Sequence, residues 1–238
     1  MHAPDGFIDA PVSVAAGVVA AGGLALCLRG ARRELDDRTA PLAGLVAVYV
    51  FAVQMLNFPV AAGTSGHLLG GTLAAVLVGP YTGALCVAVV LLVQGLLFAD
   101  GGLTALGVNI STMALATVLV GYPLARLLLR LLNRSRLATP IAAGVAAGIS
   151  VVTASLAFVG FYALGGTTDV ALGTVAAAMV GTHALIGIGE GLITGMTVAA
   201  IASARPDLVY LNRFRKRKTP SAALAPEVPQ PVSMIREL

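Results

Sequence analysis

The chain has no tryptophan, only two cysteines and no lysine before position 216. Charge is scarce too: charged residues make up 11% of the 238 positions, where a soluble domain carries about 25%. Each shortage excludes something. So few charges cannot cover the surface of a water-soluble globule, so lipid is the expected solvent. Cys27 and Cys86 stand apart inside apolar runs, which excludes a disulfide framework or a paired-cysteine metal site. They read as small buried hydrophobes. Without tryptophan, any interfacial aromatic belt rests on five tyrosines and seven phenylalanines. A phosphate-binding loop needs Gly-Lys-Ser/Thr, so the chain carries no ATPase motif of that kind, and His-Glu-x-x-His is absent as well. A cleavable signal peptide starts with basic residues. Here the first is Arg29, so the mature chain is expected to begin at residue 1 or 2.

What is present is apolar: hydrophobic residues make up 58%, and the mean hydropathy is +0.92. A transmembrane helix needs about 20 apolar residues. Seven segments are candidates: 12–28, 41–60, 67–79, 81–98, 108–131, 139–163 and 171–203. The third is too short to span alone and starts in a Gly-rich polar stretch, which predicts a half-helix inside the protein. The last is long, which predicts tilt, a break or protrusion. A net charge of +4 could suit nucleic acid, but its distribution points to a membrane. All 15 Lys and Arg fall within 29–40, 126–138 or beyond 204. Segments 1–11, 61–66, 99–107 and 164–170 have none and carry Asp5, Asp9, Asp100 and Asp169. This sorting predicts an odd number of spans, the N-terminus outside and the C-terminus inside. The expected fold class is an all-α membrane protein of about seven transmembrane helices. A transmembrane domain covers 1–205, and a basic cytoplasmic tail covers 206–238, an anchor at the membrane surface followed by disorder. Gly144 with Gly148, and Gly187 with Gly191 and Gly195, predict close helix packing.

Three histidines carry most of the chemistry. Histidine at position 2 is too large for removal of Met1, so the Met1 amine, the His2 amide and the His2 imidazole form one chelating unit. A reference amine pKa near 7.7–8.0 lets a metal displace its proton readily. An all-nitrogen, near-planar set suits Ni²⁺ or Cu²⁺, with Co²⁺ also acceptable. His67 lies in Ala-Ala-Gly-Thr-Ser-Gly-His-Leu-Leu-Gly-Gly, on the same expected face as the N-terminus, so it is the natural further ligand. His183 and Glu190 stand seven apart on one face of the last segment. An intramembrane carboxylate is a functional candidate by default. Asp5, Thr64, Ser65, Asn109, His183 and Glu190 are candidates for orienting the ligands, or for packing alone, and Gln54, Asn57 and Gln94 for the same role.

Four blocks in order resemble the CbiM/NikM family: Met-His-Ala-Pro-Asp-Gly-Phe at the start, Gly-Thr-Ser-Gly-His-Leu, Phe-Ala-Asp-Gly-Gly-Leu-Thr-Ala-Leu-Gly-Val-Asn at 98–109, and His-Ala-Leu-Ile-Gly-Ile-Gly-Glu at 183–190. The likeness covers roughly 1–205. It implies a substrate-specific S component of an energy-coupling factor (ECF) transporter, with an N-terminal loop folded into the helix core. It implies Co²⁺ or Ni²⁺ as transported substrate, with no permanent cofactor, held by the Met1 amine, the His2 amide and imidazole, and His67. It also implies partners: a transmembrane coupling subunit, two cytoplasmic ATPase subunits and often a small accessory membrane subunit, in a bacterial cytoplasmic membrane. The chain departs from the family after Asn109, where Ile110-Ser111-Thr112 replaces the common Asn-Met-Gly.

Two rivals remain open on the sequence. One is a membrane assembly subunit whose histidines are structural. The other is an intramembrane metal-dependent hydrolase with Glu190 as base, which would need an open coordination position.

Overall fold

A computed structural model describes residues 1–37, 39–56, 58–59, 65–132, 135 and 137–214. Among these, seven helices follow one another: α1 (Ala10–Ala31), α2 (Thr39–Gln54), α3 (Gly71–Val78), α4 (Pro80–Leu97), α5 (Leu106–Leu131), α6 (Ala138–Gly165) and α7 (Leu172–Ala204). Each overlaps one of the expected apolar segments, although α2 ends at Gln54 and not near residue 60. Five of them, α1 and α4 to α7, are long and apolar enough to cross a membrane. Helix α2 has 16 residues and α3 only 8. Large apolar side chains such as Val18, Leu45, Leu119, Leu185 and Met196 are exposed, the surface expected of helices that face lipid.

Local chemistry sets the boundaries. The Asp9 carboxylate accepts from the Val12 amide at 2.9 Å and caps α1, with Pro11 in its first turn. Helix α3 is buried at every position and stops at Gly79, whose φ of +102° suits only glycine. Pro80 then opens α4, and the Glu34 carboxylate caps it by accepting from Thr82 N at 2.7 Å and Tyr81 N at 3.3 Å. Helix α5 widens into a π segment at Ile110–Ala116 and carries Pro123 further on. The glycine stripes of α6 and α7 bring two backbones together: a Cβ on Gly144 would lie 2.6 Å from the Gly191 carbonyl, and one on Gly148 would lie 2.9 Å from the Gly187 carbonyl.

Between α2 and α3, Phe58–Pro59 pairs antiparallel with Ser65–Gly66, the only strand pairing among named strands of the described residues. Past residue 205 the chain continues in 3-10 turns, Pro206–Leu208 and Tyr210–Phe214, with Val209 and Leu211 buried. The described structure therefore continues past 205 to residue 214, and the remainder of the expected tail lies outside the described residues.

The stretches without basic residues meet at one end. Asp9 N donates to Gly165 O at 2.7 Å, Thr167 N to Phe7 O at 3.2 Å, and Gly102 N to Ala3 O at 2.8 Å. The first nine residues thus fold back over the bundle between the α4–α5 and α6–α7 connections.

Candidate metal centre

A free N-terminus is ordinarily a mobile, solvated end. Here Met1, His2 and Ala3 are all buried. Asn109 holds the segment with both ends of its amide: Ala3 N donates to Asn109 Oδ1 at 2.8 Å, and Asn109 Nδ2 donates to Ala3 O at 3.3 Å. Asn109 sits in the first turn of α5, just before the π segment, and is itself buried. At the rim, Asp5 accepts from both the amide and the hydroxyl of Thr104 at 2.7 Å. These bonds hold the Asp5 carboxyl below its ordinary range. Gly101, at φ +93°, lets the loop press against this assembly: a Cβ there would lie 3.1 Å from Asn109 Nδ2 and 3.2 Å from His2 Cγ. A larger residue would meet both strain and crowding.

The imidazoles of His2 and His67 stack with ring centroids 4.6 Å apart, tilted by 41°. His2 Nδ1 lies 2.8 Å from Asp100 Oδ1, and His67 Nδ1 lies 2.8 Å from the Leu68 carbonyl. A carboxylate or carbonyl oxygen only accepts, so each Nδ1 carries the proton and each Nε2 keeps its lone pair. Both Nε2 atoms are buried and have no hydrogen-bond partner. His183 repeats the pattern: its Nδ1–H donates to the Met179 carbonyl at 2.8 Å and its Nε2 is unpartnered. It lies within electrostatic reach of the Met1 amine and of His67. Native proteins seldom leave buried polar atoms unpaired, and unpaired nitrogen lone pairs grouped in one place are what a soft or borderline cation would satisfy.

Burial also prepares the donors electrically. It holds the Met1 amine well below its ordinary value of 8.0, although the Asp100 charge pulls the other way. His2 is lowered for the same reason, with the Asp100 hydrogen bond opposing. Both groups are therefore poised to be neutral donors near neutral pH. No three His, Cys, Asp or Glu side chains among the described residues are arranged to hold an ion. The Met1 amine adds main-chain nitrogen beside the two rings.

Glu190 shapes the loop that carries His67. Its two carboxylate oxygens accept from Leu69 N at 2.6 Å and Gly70 N at 2.9 Å, while Gln54 Nε2 donates to Leu69 O at 2.6 Å. Gly70 at φ +74° turns the two successive amides toward one anion, a backbone nest. Both oxygens of Glu190 being engaged leaves it poorly placed as a free base.

The structure thus brings together Met1, His2, His67 and Asn109, with Asp5 at the rim, and ties Glu190 to the same loop. Ser65 enters through its backbone pairing with Pro59, and Thr64 and Asn57 lie outside the described residues. Sequence reasoning did not single out Asp100 as the partner of His2. The only trace was an acidic residue followed by two glycines in a loop without basic residues.

A family model described as the cobalt uptake substrate-specific transmembrane region, CbiM, matches residues 2–208. A putative metal transport protein of Haloquadratum walsbyi is 41% identical over 226 residues, 94% of this chain and 100% of that protein. A putative fused nickel transport protein, NikMN, of Archaeoglobus fulgidus is 43% identical, over 88% of this chain and 68% of its own. The cobalt transport protein CbiM of Sorangium cellulosum is 37% identical, over 78% of this chain and 83% of its own. Among solved structures, a truncated transition metal transporter superposes with a TM-score of 0.76 at 28% identity, covering 86% of this chain and 99% of that one.

Proposed function

The chain belongs to the CbiM family of cobalt-uptake transmembrane proteins, and from that premise we propose that it captures Co²⁺ or Ni²⁺ as the substrate-specific component of an ECF-type transporter. It is a multi-pass membrane protein of a metal-transport family. The observation that carries the finer reading is the buried cluster of the Met1 amine with the His2 and His67 rings, where the His67 Nε2 has no partner. Four nitrogens, from the Met1 amine, the His2 amide, the His2 ring and the His67 ring, make the donor set.

Chelate geometry adds one step. The amide and ring of the same histidine close a six-membered chelate only through Nδ1, the nitrogen now held by Asp100. Capture therefore exchanges the Asp100 contact for the ion, and the His2 ring moves its proton from Nδ1 to the free Nε2. The amide proton of His2 leaves, so binding releases one proton. His67 completes the set through Nε2, its Nδ1–H staying on the Leu68 carbonyl and fixing the ring. Asn109 keeps Ala3, and with it the chelating pair, in register.

Four nitrogens near a plane favour Ni²⁺ over Co²⁺, while relatives are named for both metals. The ion enters from the end that lacks basic residues, taken as the outer face. The chain carries no Gly-Lys-Ser/Thr phosphate loop. Energy then comes from a transmembrane coupling subunit and two cytoplasmic ATPase subunits, with a small accessory membrane subunit. Titration of purified, untagged protein with each ion tests the reading, and a protein that binds neither refutes it.

A further inference from the structure

A second polar site lies beside the His67 loop, and its donors are oxygens. Between α2, α3 and α7 there is a cavity of about 10 Å³, lined by Tyr49, Gln54, Gly70, Leu73, Glu190 and Thr194 among others. That is about the space one water-sized sphere occupies. Two polar atoms on its wall have no partner, Gln54 Oε1 and Thr194 Oγ1, and both residues are only 1% exposed. The Gln54 amide is not ambiguous: its nitrogen donates to Leu69 O at 2.6 Å, so the orphan atom is the acceptor oxygen. The third group is the Glu190 carboxylate, 2% exposed, which accepts one main-chain N–H on each oxygen and keeps further lone pairs.

We propose that this cavity binds one monovalent alkali cation between Gln54, Glu190 and Thr194. Both Glu190 oxygens accept N–H bonds, the pattern of an ionised carboxylate, yet neither ion pair found among the described residues involves Glu190. A buried charge at membrane depth needs compensation. A water molecule would satisfy the orphan acceptors but not the charge, whereas one singly charged ion satisfies both. Oxygen-only donors suit a hard cation and set this site apart from the nitrogen-rich centre. The cation would also brace both sides of the Leu69 peptide, two residues from His67, because Gln54 and Glu190 hold its carbonyl and amide.

The test is thermal unfolding of the full chain in detergent, stripped of transition metals, in NaCl, KCl or N-methylglucamine chloride at one ionic strength. The proposal requires a saturable rise in Tm with Na⁺ or K⁺ but not with N-methylglucamine, as for any ligand of the folded state. Thr194→Val and Glu190→Gln should each flatten that rise. Identical unfolding of the wild type in the three salts overturns the proposal and leaves the cavity to water. So does an alkali-cation effect that survives unchanged in Thr194→Val, which decides the matter should Glu190→Gln not fold. No nickel or cobalt is present in this measurement, so a failed transition-metal site would leave its result untouched.

Discussion

His2 and His67 stack with their ring centroids 4.6 Å apart, both buried, each with its Nε2 unpartnered. Buried ring nitrogens left unpaired side by side are costly in an apolar interior, so the arrangement makes sense as a site kept ready for an ion. Replacing His67 by Ala removes one donor. Binding of Ni²⁺ or Co²⁺ should weaken by more than about a hundredfold, beyond what loss of an outer partner costs. Calorimetric titration measures this, with circular dichroism to verify the helices.

Asn109 is expected to matter nearly as much although it need not touch the ion. Asn109→Ala deletes two hydrogen bonds to Ala3 and leaves a buried main-chain N–H unpaired. The cost is about 1–3 kcal/mol, and it falls on the N-terminal segment that supplies the chelate. Metal affinity should drop about ten- to a hundredfold, while hydrogen exchange accelerates at residues 2 to 7.

The buried amine gives a pH signature. Its folded-state pKa is lowered from 8.0, and that of His2 from 6.5. In the metal-free protein, the unfolded chain binds protons that the folded chain rejects. Stability should therefore rise with pH from the lowered values up to about the ordinary amine value of 8.0 and then level off. Binding should likewise displace no proton from the amine near pH 7.5, in contrast to a free Met-His peptide. Calorimetry in buffers of different ionisation enthalpy counts those protons.

Helix contact in the α6–α7 pair is close enough to punish any side chain. Gly144→Leu forces a Cβ toward the Gly191 carbonyl 2.6 Å away, and overpacking of this kind costs about 1–3 kcal/mol. Tm should fall, while the affinity per folded molecule stays within about threefold of the wild type.

Helix positions were legible because hydropathy marks lipid-facing segments whatever their partners. The end of α2 was not. The segment expected to run to residue 60 stops at Gln54, because the chain turns into the Phe58–Pro59 pairing with Ser65–Gly66. Pro59 suits a boundary, but a two-residue pairing leaves no periodic signal. In the centre, the meeting of His2 with His67 was legible from their imidazoles and the sorting of charge, and Met1 entered through its main-chain amine. Asp100 was not, since only folding brings it to a histidine 98 positions away. The Glu190 link was hidden for another reason: its donors are the amides of Leu69 and Gly70, and main-chain groups leave no mark in composition.

In the proposed function the Met1 amine itself is a ligand. One extra residue ahead of Met1 turns that amine into an amide and moves His2 to third place, leaving His67 and Asn109 as they are. Titration of the extended and native proteins with Ni²⁺ compares them directly. The account predicts tight one-to-one binding by the native chain and its loss in the extended one, at equal helix content. Equal affinity in the two would contradict it.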